Sequence, residues 1–214
     1  MSGKRKPDYS NYLAHFTSNN ICVNNDNSLN NDYKTMSAKD KLISILKSKT
    51  IYKSTMPWTD IDAVCFTECP WNSLIEHSKN YSPYGLGFSK KFIFGRHGAP
   101  VMYMRVDAFI EERKSEFNHF RDDLKFLVTP FQPIYTPSRI KRLHEKPVDY
   151  THEREWRIPT DLNFEYKDVV FVVVKSNEDF ASFPMDLRDA IGEDKFLVMD
   201  SYKMIEHLWP LHII

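Results

Sequence analysis

The segment "THEREWRIP", residues 151–159, concentrates charged side chains that could act on a ligand. If it forms a strand, Glu153, Glu155 and Arg157 point to one face, because successive strand residues point to opposite sides of a sheet. The opposite face then carries the other alternating residues, Arg154, Trp156 and Ile158. Carboxylates beside a guanidinium can stabilise developing positive charge or move a proton. The same alternation also fits a solvated edge strand, so the pattern leaves open a polar cleft or an exposed edge.

Two further clusters combine residues that could bind a planar ligand. In "HFT", His15 and Thr17 are two residues apart and share one face of a predicted strand, although a structural histidine is the simpler interpretation. In "YSPYGLGF", Tyr81 and Tyr84 precede glycines, where a backbone can approach a ligand and an aromatic ring can stack on it. A tyrosine-containing β-turn is the alternative for this second cluster.

Positive and negative side chains are balanced over the whole chain. The chain has 214 residues, 29 Lys and Arg against 29 Asp and Glu, and therefore a formal net charge of zero. No overall field would steer it onto DNA or an anionic membrane. The run "SRIKRLHEK", residues 138–146, is locally basic and reads either as a solvated face or as a patch that grips phosphates. The length predicts a single domain over residues 1–214.

Cysteine and histidine usage predicts neither a disulfide framework nor a metal site. Cys22, Cys65 and Cys69 are an odd set without a disulfide-like spacing, which favours a reducing compartment and a cytoplasmic location. The eight histidines are scattered and form no zinc-binding motif. The basic N-terminus lacks an apolar core, and no apolar run approaches 18 residues, so we expect neither a signal peptide nor a membrane span.

The elements that must position these clusters alternate between strands and helices. Ser37 can cap a helix over "SAKDKLISILKSK", residues 37–49, after an Asn-rich loop at about 19–36. The C-terminal portion, about 168–208, predicts a buried strand, a helix at 178–190, a second strand and a last helix. The middle of the chain predicts, in order, the strand "DAVCFTECP", a helix at 71–80, the strand "YGLGFSKKFIF", the strand "VMYMRV" and a long helix at 107–127. The pattern indicates an α+β fold with about six or seven strands.

The order of these segments resembles the ADP-ribosyltransferase superfamily, in its His-Tyr-Glu branch. More closely, "AHFTS", "KLISILKSKTIY", "VCFTECP", "YSPYGLGFSKKFIF", "GAPVMYM" and "HEREWR" resemble the AbiGi family of abortive phage-resistance proteins, which is labelled an antitoxin. This resemblance covers about residues 10–210, and "YGLGFSK" with "EREWR" is its most specific part. It implies an ADP-ribosyltransferase-like mixed sheet with a central cleft and flanking helices.

The superfamily resemblance implies roles for individual residues around NAD, which would be a substrate rather than a bound cofactor. His15 would hydrogen-bond the adenosine-side ribose with Thr17 nearby, and Tyr84, or failing that Tyr81, would stack on the nicotinamide ring. Glu155 would hold the nicotinamide-side ribose and stabilise oxocarbenium character as the glycosidic bond breaks.

The remaining implied roles fall on three residues. Glu153 would bind the acceptor, Arg157 would pair with a carboxylate and keep it ionised, and Thr67 on the "CFT" strand would line the NAD site.

Three functions follow from these interpretations. The first is an NAD-dependent ADP-ribosyltransferase-like protein of bacterial phage defence, which transfers ADP-ribose to a protein, nucleic-acid or other acceptor. The second is a non-enzymatic antitoxin or immunity module that binds a toxin protein through an aromatic-rich surface. The third is a nucleic-acid-modifying enzyme that uses the basic run at 138–146 to hold phosphates.

Overall fold

A computed structural model of the chain describes residues 10–19, 35–56, 59–68, 81–106, 108, 121–133 and 147–208. Several predictions therefore lie outside the described residues. They are most of the Asn-rich loop, the helix at 71–80, most of the helix at 107–127, the basic run at 138–146, Cys22 and Cys69.

The described residues form short strands and short helices in alternation. The strands are β1 (Tyr12–Phe16), β2 (Thr50–Ile51), β3 (Ser54–Thr55), β4 (Asp62–Thr67), β5 (Gly85–Ser89), β6 (Ala99–Pro100), β7 (Met102–Arg105), β8 (Val128–Phe131), β9 (Glu155–Ile158), β10 (Leu162–Asn163), β11 (Val169–Val174) and β12 (Phe196–Val198). The helices are α1 (Ala38–Ser48), α2 (Lys90–Phe94), α3 (Asn177–Ala181), α4 (Met185–Ile191) and α5 (Met199–Leu208). Short 3-10 segments cover Asp122–Leu127, Thr151–Glu153, Tyr166–Asp168 and Glu193–Lys195.

One mixed sheet organises the fold. Its strands follow the order β12-β11-β5-β1-β4-β9-β6, and β3 also pairs with β4. The β11–β12 pair is parallel, and the other pairs of this sheet are antiparallel. Two small pairs, β2 with β10 and β7 with β8, lie apart from it. The mixed sheet and its helices confirm the predicted α+β class; the ADP-ribosyltransferase-like arrangement around a central cleft stays a prediction.

The register of the central strands determines which side chains share a face. Ala14 of β1 pairs with Thr67 of β4, and Thr67 in turn pairs with Glu155 of β9. Directly paired residues in a sheet point to the same side, and their chain neighbours point to the other side. Ala14, Thr67 and Glu155 therefore share one face, which we call the glutamate face. His15 and Trp156 point to the opposite face, which we call the histidine face.

Apolar side chains cover both faces of the sheet. On the histidine face, Leu13, Phe66, Leu86 and Ile158 pack with residues of α1 to α4 in the largest core cluster. On the glutamate face, a smaller cluster joins Ala14, Phe171 and Val173 to Met199 of α5. Another cluster joins Ala63 to Phe126 and Leu127 of the 3-10 segment Asp122–Leu127. The sheet is thus the middle layer of the fold.

Helix α1 confirms the expectation drawn from its cap and its apolar stripe. The side chain of Ser37 accepts a hydrogen bond from the backbone N–H of Asp40, which is the expected capping contact. Leu42, Ile45 and Leu46 are buried against the histidine face. Strand β11 is likewise confirmed, because its residues are buried alternately in the clusters of the two faces.

Three predicted elements differ from the structure. The predicted helix at 178–190 is two helices, α3 and α4, because Pro184 between them supplies no N–H to continue a helix. The strand expected over "YGLGFSKKFIF" ends at Ser89, whose side chain accepts from Phe92 N–H and caps α2. The described end of the predicted helix at 107–127 is the 3-10 segment Asp122–Leu127.

Candidate functional site

The predicted site residues divide into two groups. The glutamate face, with the turn before β9, holds Thr67, Tyr81, Glu153, Glu155 and Arg157. The histidine face holds His15, Thr17 and Tyr84. Segment 81–84 connects the two groups, because Tyr81 bonds Glu153 while the Ser82 hydroxyl donates to the backbone oxygen of Thr17 at 2.6 Å.

The chain before β9 is a turn and not the start of the strand. Thr151–Glu153 is a 3-10 segment, and Arg154 adopts the left-handed conformation with φ 45° and ψ 51°. The Thr67 hydroxyl donates to the Glu153 carbonyl at 2.6 Å, which ties this turn to the end of β4. The expectation that Glu153 continues the alternation of Glu155 and Arg157 is therefore wrong, whereas Glu155 and Arg157 do share a face.

Arg157 is a fully bonded, buried cation. Its Nε and one terminal nitrogen bind both oxygens of Glu155 at 2.7 and 2.8 Å. That same nitrogen donates to the Thr129 hydroxyl at 2.7 Å, and the other terminal nitrogen donates to the carbonyls of Phe126 and Val128. A guanidinium has five N–H donors, and these contacts use all five. Burial opposes the charge, but the bonds and the charge of Glu155 outweigh it and raise the pKa of Arg157.

Glu153 is a second, nearly buried carboxylate with a different partner. It is 9% exposed and accepts a 2.8 Å hydrogen bond from the Tyr81 hydroxyl. Burial raises the pKa of Glu153, and the neighbouring charge of Glu155 adds to this rise, while the bond from Tyr81 acts in the opposite direction. Burial together with the Glu153 carboxylate also raises the pKa of Tyr81. The phenol therefore stays protonated and acts as the donor.

Two tyrosines that the sequence analysis missed complete the surroundings of these carboxylates. The Tyr103 hydroxyl donates to the carbonyl of Tyr150 at 2.9 Å and accepts from the N–H of Glu155 at 3.5 Å. Burial raises the pKa of Tyr103 to about 12. Burial also raises the pKa of Tyr150, with contributions from the charges of Glu153 and Glu155. Tyr150 directly precedes the segment quoted first, and this adjacency is the signal that could have drawn attention to it.

His15 is oriented by the backbone of the neighbouring strand. Its Nδ1 lies 2.9 Å from the carbonyl oxygen of Cys65. Because a carbonyl only accepts, Nδ1 carries the proton, and Nε2 of the neutral ring is an acceptor. The ring packs edge-on against Phe66 at a centroid distance of 5.9 Å. Burial lowers the pKa of His15, which favours this neutral form, although the bond to Cys65 acts in the opposite direction.

Thr17 and Tyr84 anchor the start of α1. The Thr17 hydroxyl bonds the carbonyls of Ala38 and Tyr84 at 2.8 and 3.1 Å. The Tyr84 hydroxyl donates to Asp179 at 2.9 Å, and the same carboxylate binds Lys39 at 2.8 Å. Burial raises the pKa of Tyr84, and the bond to Asp179 adds to it. These contacts join α1, the segment before β5 and α3 on the histidine face.

A further buried ion pair on the histidine face was also missed. Lys90 at the start of α2 binds the Glu68 carboxylate at 2.7 Å, and both side chains are nearly buried. The indole N–H of Trp156 donates to the same carboxylate oxygen at 3.2 Å, and the Lys90 ammonium lies 5.5 Å from the centre of the Trp156 ring. Glu68 directly follows the "CFT" strand, but nothing in the sequence identifies Lys90 as its partner.

The described residues contain no group of three His, Cys, Asp or Glu side chains that could hold a metal ion. Cys65 is a free, half-buried thiol whose pKa burial raises well above its usual range. Its sulfur lies 3.4 Å from that of Met56. Among the helices that the structure describes, none has the length and apolar character that a membrane crossing requires.

The predicted meeting of an imidazole, a phenol and a carboxylate is only partly present. Tyr81, Glu153 and Glu155 lie together, but strand register directs His15 to the opposite side of the sheet from Glu155. Tyr84 lies with His15 and not with the carboxylates. Both oxygens of Glu155 are bonded by Arg157, and Arg157 connects β9 to Phe126 and to Val128 and Thr129 of β8. The roles of these residues toward NAD remain predictions.

Comparison with known proteins identifies a family for this chain. No curated protein and no solved structure matches this chain significantly. The family model described as "Putative abortive phage resistance protein AbiGi, antitoxin" matches residues 21–183, which is more than half of the chain. The matched span includes Thr67 on β4, Glu155 and Arg157 on β9, and Tyr81, Tyr84 and Glu153 in the segments before β5 and β9, whereas His15 and Thr17 precede it. The chain therefore belongs to the AbiGi family.

Proposed function

We propose that this protein acts by binding, as the antitoxin component of an abortive infection system that restrains a toxin protein. The antitoxin description of the AbiGi family supports this proposal. The abundance of aromatic side chains also supports it, because aromatic residues are enriched in the cores of protein interfaces.

The commitment of Glu155 to Arg157 carries the proposal. A carboxylate that stabilises an oxocarbenium ion must present an oxygen to the substrate. Both oxygens of Glu155 already accept charge-assisted bonds from Arg157. Arg157 is held in this position by three further buried bonds, so Glu155 could turn towards a substrate only if its bonds to Arg157 broke. His15 on the opposite face would also have to act at a distance from this carboxylate. The arrangement therefore favours a binding protein over a transferase.

Co-expression with the toxin of the same locus tests the proposal. We expect the wild-type chain to prevent toxin-induced growth arrest and to form a stoichiometric complex with the toxin in size-exclusion chromatography. His15→Asn removes the predicted NAD contact but keeps a donor for the Cys65 carbonyl, so we expect it to retain full protection. Protection that is lost in this folded variant while the toxin complex still forms would contradict the proposal.

The NAD-dependent transferase is a second candidate, and the fixed orientation of His15 is the observation in its favour. An imidazole held through Nδ1 presents Nε2 as an acceptor, which suits a bond from a ribose hydroxyl. Incubation of the pure protein with NAD, followed by measurement of released nicotinamide, tests this candidate. Turnover that disappears in folded His15→Asn and Glu155→Gln variants would favour the transferase, and no release above a protein-free blank would count against it.

A further inference from the structure

The end of helix α2 presents an exposed aromatic ring among positively charged side chains. Phe94, the last residue of α2, is 71% exposed. The side chains of Lys91, Arg96 and His97 around it are exposed as well. Residues 81–106 contain four Lys and Arg and no Asp or Glu, although the whole chain has a net charge of zero. Positive charge is therefore concentrated around this ring.

The fold does not use the Phe94 ring in its core. Phe92 and Ile93, the two preceding residues of α2, pack in the largest core cluster, whereas Phe94 belongs to none of the core clusters. Single exposed apolar side chains are common on protein surfaces, so the ring alone indicates no function. What distinguishes Phe94 is the construction of the cationic residues that follow it.

Arg96 is fixed in position and still has donors to offer. One terminal nitrogen donates to the Asn163 carbonyl at 2.7 Å, and the guanidinium lies 4.6 Å from the centre of the Phe92 ring. A guanidinium has five N–H donors, and only this one has a partner among the residues that the structure describes. Arg157, in contrast, uses all five. Arg96 can therefore bond an anionic group without losing a contact.

Backbone hydrogen bonds hold the loop that carries these side chains. The N–H groups of Arg96 and Gly98 both donate to the Ile93 carbonyl at 3.0 Å, and the His97 N–H donates to the Phe94 carbonyl at 3.2 Å. A Cβ on Gly98 would lie 2.5 Å from the Ile93 side chain, so the loop is closed tightly onto α2. A site that is ordered before binding loses little entropy when a ligand arrives.

A ring beside cations suits single-stranded nucleic acid. Unpaired bases stack on exposed aromatic side chains, while the phosphates next to them contact Lys and Arg. The core of a protein interface needs several neighbouring apolar side chains. The residues that follow Phe94 are Gly95, Arg96 and His97, which supply none. The surroundings of the ring therefore favour a nucleic acid over a protein.

We propose that Phe94, Lys91 and Arg96 form a binding site for single-stranded nucleic acid, in which a base stacks on the Phe94 ring and phosphates contact the two cations. This activity is separate from the toxin binding proposed above and uses a different part of the chain from the basic run at 138–146.

Fluorescence anisotropy with the purified full chain tests the site. The probes are fluorescein-labelled oligouridine and oligothymidine, with a DNA duplex of equal length and polyglutamate as competitors. We expect saturable binding of single strands and weak competition by the duplex, whose bases are already stacked. Binding of both single strands assigns recognition to base and phosphate, and binding of oligouridine alone assigns it to RNA through the 2′-hydroxyl.

Variants separate stacking from charge. Phe94→Ala should weaken binding at least about fivefold at constant salt. Lys91→Gln/Arg96→Gln should reduce the slope of log affinity against log salt by about 1.4, since each phosphate contact to a single strand contributes about 0.7. Far-UV circular dichroism confirms that each variant is folded.

Two controls remove comparable groups elsewhere, and neither should change the affinity. Met204→Ala removes an apolar side chain of α5 that is 64% exposed, and Lys175→Gln removes an exposed lysine after β11, at the other end of the β5–β11 pair from α2. No saturable binding of either single strand, an unchanged affinity in Phe94→Ala, or equally strong competition by the duplex or polyglutamate would overturn the inference. Loss of protection from the toxin in Phe94→Ala, without oligonucleotide binding by wild type, would instead assign the ring to a protein partner.

Discussion

The two faces of β4 and β9 carry buried ion pairs of different construction. On the glutamate face, Glu155 and Arg157 form a two-point pair, and the guanidinium also reaches three groups of the segment around β8. On the histidine face, the Lys90 ammonium lies 2.7 Å from one oxygen of Glu68, and the Trp156 indole donates to the same oxygen. A guanidinium offers five N–H donors in a fixed planar arrangement and can bond several chain segments at once, whereas an ammonium offers three donors. We therefore expect removal of Arg157 to lower the free energy of unfolding more than removal of Lys90 does.

The largest effect should come from Arg157→Met. This change leaves the buried Glu155 without its cation and two carbonyls without their donors, so we expect a loss of about 3–5 kcal/mol in the free energy of unfolding. Urea titration followed by tryptophan fluorescence measures it. Arg121→Met removes an exposed arginine that pairs with Asp123, and we expect it to cost under about 1 kcal/mol. A loss at Arg157 no greater than at Arg121 would show that the glutamate-face pair does not stabilise the fold.

Removal of the cation on the histidine face should have a smaller effect. Lys90→Met leaves Glu68 with the indole N–H of Trp156 as a donor, so we expect a loss of about 2–3 kcal/mol in the same titration. Lys203→Met, at an exposed pair with Asp200, is the matched control. If Lys90→Met lowers the free energy of unfolding as much as Arg157→Met does, the number of donors on each cation does not determine how strongly the two ion pairs stabilise the fold.

The smallest effect concerns His15 and depends on pH. Burial lowers the pKa of His15 in the folded protein, so the unfolded chain binds a proton more readily as the pH falls below about 6.5. The stability that neutral His15 contributes is therefore complete above that pH and is lost as the pH falls towards the lowered pKa. The midpoint temperature of thermal unfolding, measured between pH 8 and 5, should rise for His15→Asn relative to wild type as the pH falls.

Glu153 acts in the opposite direction in the same experiment. Because its pKa is raised in the folded protein, the folded state takes up this proton first and gains stability as the pH falls through the raised pKa. Both proteins contain Glu153, so the difference between them isolates His15. His207→Asn on the exposed part of α5 controls for the loss of a histidine at the surface. A pH-independent difference between wild type and His15→Asn would contradict the assigned cause.

The sequence predicts local elements well and their mutual placement poorly. Helix α1 was predictable because its cap and apolar stripe are local signals, and β11 because of its continuous apolar run. The break at Pro184 was predictable in principle, but the apolar spacing of Phe180, Phe183 and Leu187 continues across it and resembles one helix. The short helix α2 was read as strand because its Phe and Ile residues favour strands.

The candidate site shows the same limit more clearly. Whether His15 and Glu155 share a face depends on the register of β1, β4 and β9, and a slip of one residue would exchange the faces. No feature of these strands fixes that register in the sequence. The left-handed conformation of Arg154 is equally hidden, because this conformation is unusual for a residue with a side chain. The spacing of Glu155 and Arg157, two residues apart, correctly places both side chains on one face of a strand, whereas the predicted ion pair of Arg157 did not specify which carboxylate it uses.

The five bonds of Arg157 also have a consequence for the order of folding. Three of them join β9 to groups that lie 28 to 31 residues earlier in the chain, in the segment around β8. Contacts that close long loops form after local helices and turns, because the entropy of loop closure opposes them until other contacts have formed. Replacement of this arginine should therefore increase the unfolding rate more than it decreases the refolding rate. The slow unfolding of the native chain would then depend on one guanidinium.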